Sequence, residues 1–464
     1  MTGFITKSKI TWPLALFSVL SIVLISYLKN SLELEDAEQA YYSQWWRWGY
    51  DDQPPLYTWL QKIVNYCFGV TKFSFSLLRG LLFASILLLL AKFGKKVLDE
   101  TKKAQLVMLA SVLIPVFIDF AFRRLSHTLL ASLTIMITYL IVAKLVQKKS
   151  SYNYLLLGVA MGIGMLAKYN YALFPASLFI ASFFNADLKA IIWNRRVLLS
   201  CIVAVALVFP HLYWLLHDGY LIEIKRSLGA KFGDSDPGII VVGPILKMSK
   251  ALLEGMLPIL LLLVGLFFFR KKNLQTNKKL RWLLHLGIVQ FGVLLIFFVL
   301  MDAQDVHGRW LLPLLLPYLV LFVAFLGSIK NNYIKWGTII YISVLCFQVL
   351  RTPLEKLLGI KSDIHFEYTA LEQKLHKEFP KETWVLPNVT YGGQIRLLDP
   401  TRKIFTLDDF SATLPKTFKN GCSVVSTQKE SFTSTAVDSL LQYGPDDDDL
   451  YFFKVDLTSE IPFE

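Results

Sequence analysis

Apolar residues along this chain gather into blocks of roughly 17–22, the length that crosses a bilayer core as a helix. About eleven such blocks stand out, at 10–28, 74–94, 104–121, 127–146, 153–168, 171–185, 197–216, 251–269, 282–300, 310–327 and 335–351. The fifth and sixth are short and separated by AKYNY (167–171), so this stretch reads as a tight helical hairpin or as one irregular span. Between the first two blocks, EQAYYSQWWRWGY carries aromatics recurring on one side, and Pro54–Pro55 then start a second segment, LYTWLQKIVNYCFG. Mixed spacing of this kind predicts helices lying on the membrane, with Trp and Tyr at headgroup depth.

From about residue 352 the pattern changes. An amphipathic stretch, EYTALEQKLHKEF, precedes short β-like runs: TWVLPN, KIFTLD, CSVVST and LYFFKVDL. The predicted fold is therefore an α-helical polytopic membrane protein with a small C-terminal soluble α/β domain. The predicted division is 1–351, a transmembrane part whose first external loop spans 29–73, and 352–464, an external domain.

Composition agrees with this pattern. Of 464 residues, 54% are hydrophobic and 14% aromatic, with a mean hydropathy of +0.48, too apolar for an ordinary soluble protein of this length. The net charge of +13 does not point to nucleic acid, because many basic residues sit in short runs between apolar blocks. Lys7/Lys9, Lys92/Lys95/Lys96/Lys102/Lys103, Lys144/Lys148/Lys149, Lys189/Arg195/Arg196, RKKNLQTNKKLR (270–281) and Lys330/Lys335 all fall on one side if the spans number eleven. That side is expected to be the cytoplasm, with the N-terminus in it. The first loop, the 217–250 loop and the C-terminal domain then face the periplasm or exterior of an inner (plasma) membrane. The first apolar run is long for a signal-peptide core and lacks a small-x-small cleavage site, so a retained helix is expected. Cys67, Cys201, Cys346 and Cys422 are far apart and form neither a zinc ribbon nor a disulfide framework.

The candidate chemistry lies on that outer face. ELEDAEQAYYSQWWRWGYDDQPPL (33–56) sets Glu33, Glu35, Asp36 and Glu38 beside aromatic anchors, with Asp51–Asp52 following. Carboxylates held at the lipid–water boundary suit a substrate whose polar head hangs from a lipid. Further ionisable residues fall near span ends at the same level: Asp119, Arg123, Arg124, His127, Lys168, His211, His217, Asp218, Glu254, Asp302, Asp305, His307 and Arg309. Such groups are costly at membrane depth and commonly line a polar cavity. Each has a plainer alternative: the arginines as snorkelling side chains, His127 as a packing residue, the aromatics as anchors, the acids as a solvated face. The Gly- and Asp-rich stretch GAKFGDSDPG (229–238) reads as a lid.

EDAEQAYY…WGYDDQPPLYTWL resembles the first-loop signature of the GT-C-fold glycosyltransferases of the family-39 type, the group of the protein O-mannosyltransferases and the lipid A aminoarabinose transferase. RRLSHTLL (123–130), LLLGVAMGIGMLAKYNY (155–171), FPHLYWLLHDGY (209–220) and HGRWLLPLLLP (307–317) are similar to its bacterial branch. The resemblance covers roughly residues 10–330. It implies transfer of a sugar from a polyprenyl-phosphate donor, with inversion, to a glycolipid, glycan or protein acceptor at the outer face of the membrane. An acceptor hydroxyl needs a carboxylate base within hydrogen-bond reach, and the departing lipid phosphate needs cationic stabilisation.

By that resemblance Asp36 is the base, with Glu35 the second choice and Glu38 beside them. Substrate contacts are carried over to Tyr41, Tyr42, Gln53, Pro54 and Pro55 in the first loop. In the later segments they fall on Arg123, Arg124, His127, Lys168, Tyr169, His307 and Arg309. Where the aminoarabinose branch has an acid-Lys-Pro segment, this chain has Asp52–Gln53–Pro54. The acid remains but the cation is missing, so Lys168 or an arginine must carry more of the phosphate's charge. A divalent metal, where the reaction uses one, would be held by Asp52 with His211 or His217. Two other classes stay open on sequence: a transporter or flippase of lipid-linked sugars, and a polymerase or ligase using a diphosphate-linked donor. Transporters tend to carry internal repeats and midplane sites, and this chain shows no evident repeat.

Overall fold

The computed structural model describes residues 10–123, 126–217, 220–232, 242–269, 280–412, 421–428 and 438–455. Arg124, Asp218, most of the expected lid and most of the 270–281 basic run lie outside them. The remainder is an α-helical protein with a small C-terminal sheet. Helix α1 (Thr11–Leu28) is followed by two short loop helices, α2 (Leu34–Tyr42) and α3 (Leu56–Phe68), and then by the long α4 (Lys72–Leu98). Next come α5 (Thr101–Leu109), α6 (Pro115–Arg123), α7 (His127–Gln147), α8 (Ser151–Ala167), α9 (Leu173–Ala181) and α10 (Ala186–Ile192). The helical part continues through α11 (Val197–His217), α12 (Tyr220–Lys231), α13 (Val242–Phe269), α14 (Arg281–Leu300), α15 (Gly308–Leu315), α16 (Leu319–Phe325) and α17 (Asn331–Leu357).

Among the described residues, seven helices are long and apolar enough to cross a membrane, or up to nine if each of two bent pairs counts as one span. All eleven expected blocks nevertheless fall on helix, some of it bent or short. The block at 104–121 turns by 72° where Pro115 starts α6, and Tyr169–Ala181 meets α10 at 113°. Pro is accommodated at a first helical position, where its missing N–H costs nothing. Helix α8, at the expected fifth span, has only 17 residues, and the expected 251–269 span lies inside α13.

The chain divides into two compact units: Met1–Ser21 with Asp52–Leu56 and Arg79–Gln348, and Ile22–Asp51 with Tyr57–Leu78 and Val349–Glu464. In the first, α7 is largely buried, and α8 packs on both α7 and α11.

The second unit does not follow the expected division at 351, because the first loop is built into the C-terminal fold. There α18 (Thr369–Glu378), β1 (Thr383–Leu386), α19 (Val389–Leu398), β2 (Ile404–Thr406), β3 (Cys422–Ser426), β4 (Asp438–Tyr443) and β5 (Asp448–Val455) make a five-stranded sheet in the order β2-β1-β3-β5-β4. β1 runs parallel to β2 and β3, with α19 as the crossover between β1 and β2, while β5 is antiparallel to β3 and β4. The Asn388 side chain caps α19 by accepting from the N–H groups of Thr390 and Tyr391, both at 3.1 Å.

Helix α2 packs along α19 within this unit. Ala37, Ala40 and Tyr41 recur at helical spacing on the buried face. Ala37 and Ala40 join Leu32, Phe75 and Leu397 in one apolar cluster, and Tyr41 and Tyr42 join Tyr50 and Val389 in another.

Candidate active site

In the unit containing α2, Glu35 and Asp36 occupy the first helical turn, where negative charge is favoured by the helix dipole. Asp36 is only 1% exposed and Lys29 2%. The Lys29 ammonium lies 3.4 Å from Asp36 Oδ2. An opposite charge at this distance offsets part of the cost of burying each group. Glu35 and Glu38 are half-buried.

Tyr41 and Tyr42, expected to touch substrate, are core side chains instead. The same helical spacing that exposes part of the acidic face turns them inward. Tyr41 meets Trp45 edge-on at 5.4 Å, and the Tyr42 hydroxyl donates to Asp51 Oδ2 at 3.1 Å. Burial first, and then the Asp51 carboxylate, push the Tyr42 hydroxyl well above the usual phenol range. Burial likewise pushes Tyr50 up to about 12.

The loop after α2 is anchored by Arg47, which sits over the Trp45 ring at 4.1 Å. It donates to Asp409 Oδ2 and to Ser411 Oγ, each at 3.1 Å. Asp51 takes a left-handed backbone, φ 49°, a conformation that Asp tolerates better than most residues, and its N–H donates to Ser411 Oγ at 2.9 Å.

The other unit gathers a separate polar set. Asp52 is 9% exposed, and its Oδ2 accepts from Ser227 Oγ at 2.7 Å and from the Lys231 ammonium at the end of α12. Gln53 is half-buried, while Pro54 and Pro55 are buried. Lys168 stands at the break after α8 and donates to Thr128 Oγ1 at 2.7 Å. His127 opens α7 with Nδ1 at 3.4 Å from the Ala167 carbonyl, and it feels the charges of Lys168, Asp52 and Lys231. Asp52 also acts on Tyr169, whose hydroxyl lies 3.2 Å from His211 Nε2. Asp52, His127, Lys168 and Tyr169 thus lie within electrostatic reach of one another. Arg123 is buried at the last turn of α6. His307 pairs with Asp305 at 3.4 Å and meets the Trp310 ring at 4.9 Å, and Arg309 is half-buried in the first turn of α15.

The expected metal set does not assemble. Among the described residues no group of three His, Cys, Asp or Glu side chains could hold an ion. Asp52 already receives an ammonium and a hydroxyl. His211 Nε2 faces Tyr169, and His217 stacks on Tyr213 at 5.1 Å. Six residues apart on α11, the two histidines diverge by about 120° around the helix. Among the described residues, Asp52, His211 and His217 are therefore not arranged to share a divalent cation.

Two cations escaped the sequence reading. Lys29 follows directly on the last residue of α1 and there resembles a snorkelling end residue; its seven-residue separation from Asp36 was the available signal. Lys231 lies inside the Gly- and Asp-rich stretch expected to act as a lid, and nothing local marks it as a partner of Asp52.

Residues 52–214 match the family described as dolichyl-phosphate-mannose-protein mannosyltransferase. The lipopolysaccharide core galacturonosyltransferase RgtB of Rhizobium johnstonii is 30% identical over 316 residues, 67% of this chain and 64% of the relative. The lipopolysaccharide core galacturonosyltransferase RgtA of the same organism is 24% identical over 444 residues, 92% of this chain and 88% of the relative. The crystal structure of ArnT from Cupriavidus metallidurans bound to undecaprenyl phosphate superposes with a TM-score of 0.63 at 12% identity, covering 98% of this chain and all of that one.

The chain is thus similar to the GT-C-fold glycosyltransferases of the protein O-mannosyltransferase and ArnT group, and it spans less than two thirds of the length of RgtB. The family-model match begins at Asp52 and takes in Arg123, His127, Lys168, Tyr169 and His211. Asp36 precedes it. In this GT-C chain the helix bearing Asp36 is bound into the C-terminal α/β fold, while Asp52 belongs with the helices that follow.

Proposed function

We propose that this GT-C protein transfers a sugar from a polyprenyl-phosphate donor to the lipopolysaccharide core, with inversion, at the outer face of the inner membrane. The orientation implied by the basic runs, N-terminus in the cytoplasm and C-terminal fold outside, is part of the reading. Galacturonic acid is the proposed sugar because both Rhizobium relatives are named for it. The observation that carries the proposal is the Asp36 carboxylate on the first-loop helix, held by a buried ammonium, in a chain similar to this family. In this reading Asp36 takes the proton from the acceptor hydroxyl as the glycosidic bond forms. The bond from the anomeric carbon to the carrier phosphate breaks, and the phosphate leaves with the electron pair. Lys168 and Lys231 supply cations for that phosphate.

Mass spectrometry of lipid A–core from wild-type and deletion cells tests the function. Loss of a single hexuronic acid from the core supports it; an unchanged core overturns it. A second measurement tests the cation assignment. Lys231 is half-exposed, and nothing else in its unit donates to Asp52 except Ser227 among the described residues. Lys231→Met should raise the donor KM roughly ten- to a hundredfold, the worth of a hydrogen bond to a charged group, leaving acceptor KM unchanged. An unaltered donor KM removes Lys231 from the phosphate site.

A further inference from the structure

Residues 29–32 form the approach to α2, and their backbone is held from every side by the C-terminal fold and the start of α4. The Lys72 ammonium donates to the Lys29 carbonyl at 2.5 Å. The Asn30 N–H donates to the Ile364 carbonyl at 2.7 Å, and the Asn30 side-chain amide donates to the His365 carbonyl at 2.9 Å and to Glu367 at 3.2 Å. The most specific contact falls at Leu32. Its N–H donates to Gln394 Oε1 at 3.1 Å, and its carbonyl accepts from Gln394 Nε2 at 2.8 Å. One side-chain amide from α19 thus satisfies both backbone groups of a residue that is itself fully buried, and Gln394 is 1% exposed. Buried backbone groups demand partners of this kind.

This pairing sits between the two members of the ion pair. Lys29 lies three residues before Leu32, and Asp36 four residues after it. We propose that Gln394 is a positioning residue for sugar transfer: by fixing the Leu32 backbone it holds Lys29 against Asp36, which makes the C-terminal α/β fold a working part of the catalytic apparatus. The proposal rests on the reading of Asp36 as the base. An aliphatic side chain of similar length fills the same space but leaves the N–H and carbonyl of Leu32 unpaired, so the approach to α2 must shift to find partners. Displacement of a base by even an ångström is costly to turnover while leaving donor binding alone.

The full-length protein in lipid nanodiscs is assayed with polyprenyl-phosphate-sugar donor and lipid A–core acceptor. Gln394→Met should lower kcat roughly ten- to a hundredfold with donor KM unchanged. Leu371→Ala, in the core of the C-terminal fold far along the chain from Leu32, is the control: it should lower the melting temperature and leave kcat per folded molecule unchanged. Gln394→Asn keeps the amide one methylene short and serves if the Met variant does not fold, with the same loss confined to kcat. Wild-type kcat in Gln394→Met, or an equal fall of kcat in Leu371→Ala, overturns the proposal. Asp36→Asn is assayed alongside. If it is inactive while Gln394→Met is normal, only the positioning role fails; if it turns over normally, the base assignment itself fails.

Discussion

Asp36→Asn should reduce sugar transfer by about 10²–10⁴, the worth of a positioned general base, and should also destabilise the unit that contains it. The two effects have separate origins and can be separated. Asn keeps the shape of the side chain but cannot accept the acceptor's proton, so the chemical step is lost. It also places a neutral amide where the buried Lys29 ammonium meets a carboxylate at 3.4 Å. Removing one partner of a pair this deeply buried costs about 3–5 kcal/mol. Lys29→Met combined with Asp36→Asn removes both charges and should recover much of that stability, since apolar replacement of a whole buried pair is often neutral or favourable. Transfer should stay absent in the double variant. Thermal unfolding and turnover, measured on all three proteins, give the answer. Full turnover in the single variant would move the base to Glu35 or Glu38, and recovered turnover in the double variant would show that the loss was one of folding.

What could be seen in the sequence was what depends on local pattern. Apolar length located the long helices such as α1, α4, α7, α11, α14 and α17, mixed spacing pointed to the loop helices α2 and α3, and four of the five strands were visible as short β-branched or aromatic runs, whereas α12 fell in a stretch read as loop. β4 (DSLLQY) was not seen, because its residues are mostly polar or half-exposed and its place is set by pairing with β5. Bends were invisible for a related reason: length does not reveal that Pro115 starts a new helix at 72°. The acids of the first loop were evident from composition, but which of them is buried depends on a partner in space. Tyr41 and Tyr42 show the converse. As aromatics beside acids they looked like substrate contacts, and only the packing of α2 on α19, some 350 residues away in the chain, makes them core. Gln394 was beyond reach altogether, since no feature of VTYGGQIRLL distinguishes a glutamine that binds another segment's backbone.

Gly393 should prove the least replaceable residue of the C-terminal fold. A Cβ at this position would fall inside the backbone carbonyl of Ala37 on α2, and a carbonyl cannot swing aside as a side chain can. At neighbouring Gly392 a Cβ would meet Thr406 Cγ2 at 2.8 Å and Tyr41 Cδ2 at 2.9 Å, both side-chain atoms. Gly393→Ala therefore has to push α2 and α19 apart along their whole contact, opening the cluster of Leu32, Ala37, Ala40 and Leu397. Overpacking of this sort costs about 1–3 kcal/mol where side chains can give, which is the expectation for Gly392→Ala. Gly393→Ala should exceed that range, and its melting temperature in detergent should fall well below that of the Gly392 variant. Because Gln394 is the next residue on the same helix, the displacement also carries its amide away from Leu32, so transfer should be lost even at temperatures where the protein remains folded. A Gly393→Ala protein with wild-type melting and turnover would mean that α2 and α19 do not lie in backbone contact, and with that contact would go the structural reason for tying the acid-bearing helix to the C-terminal fold.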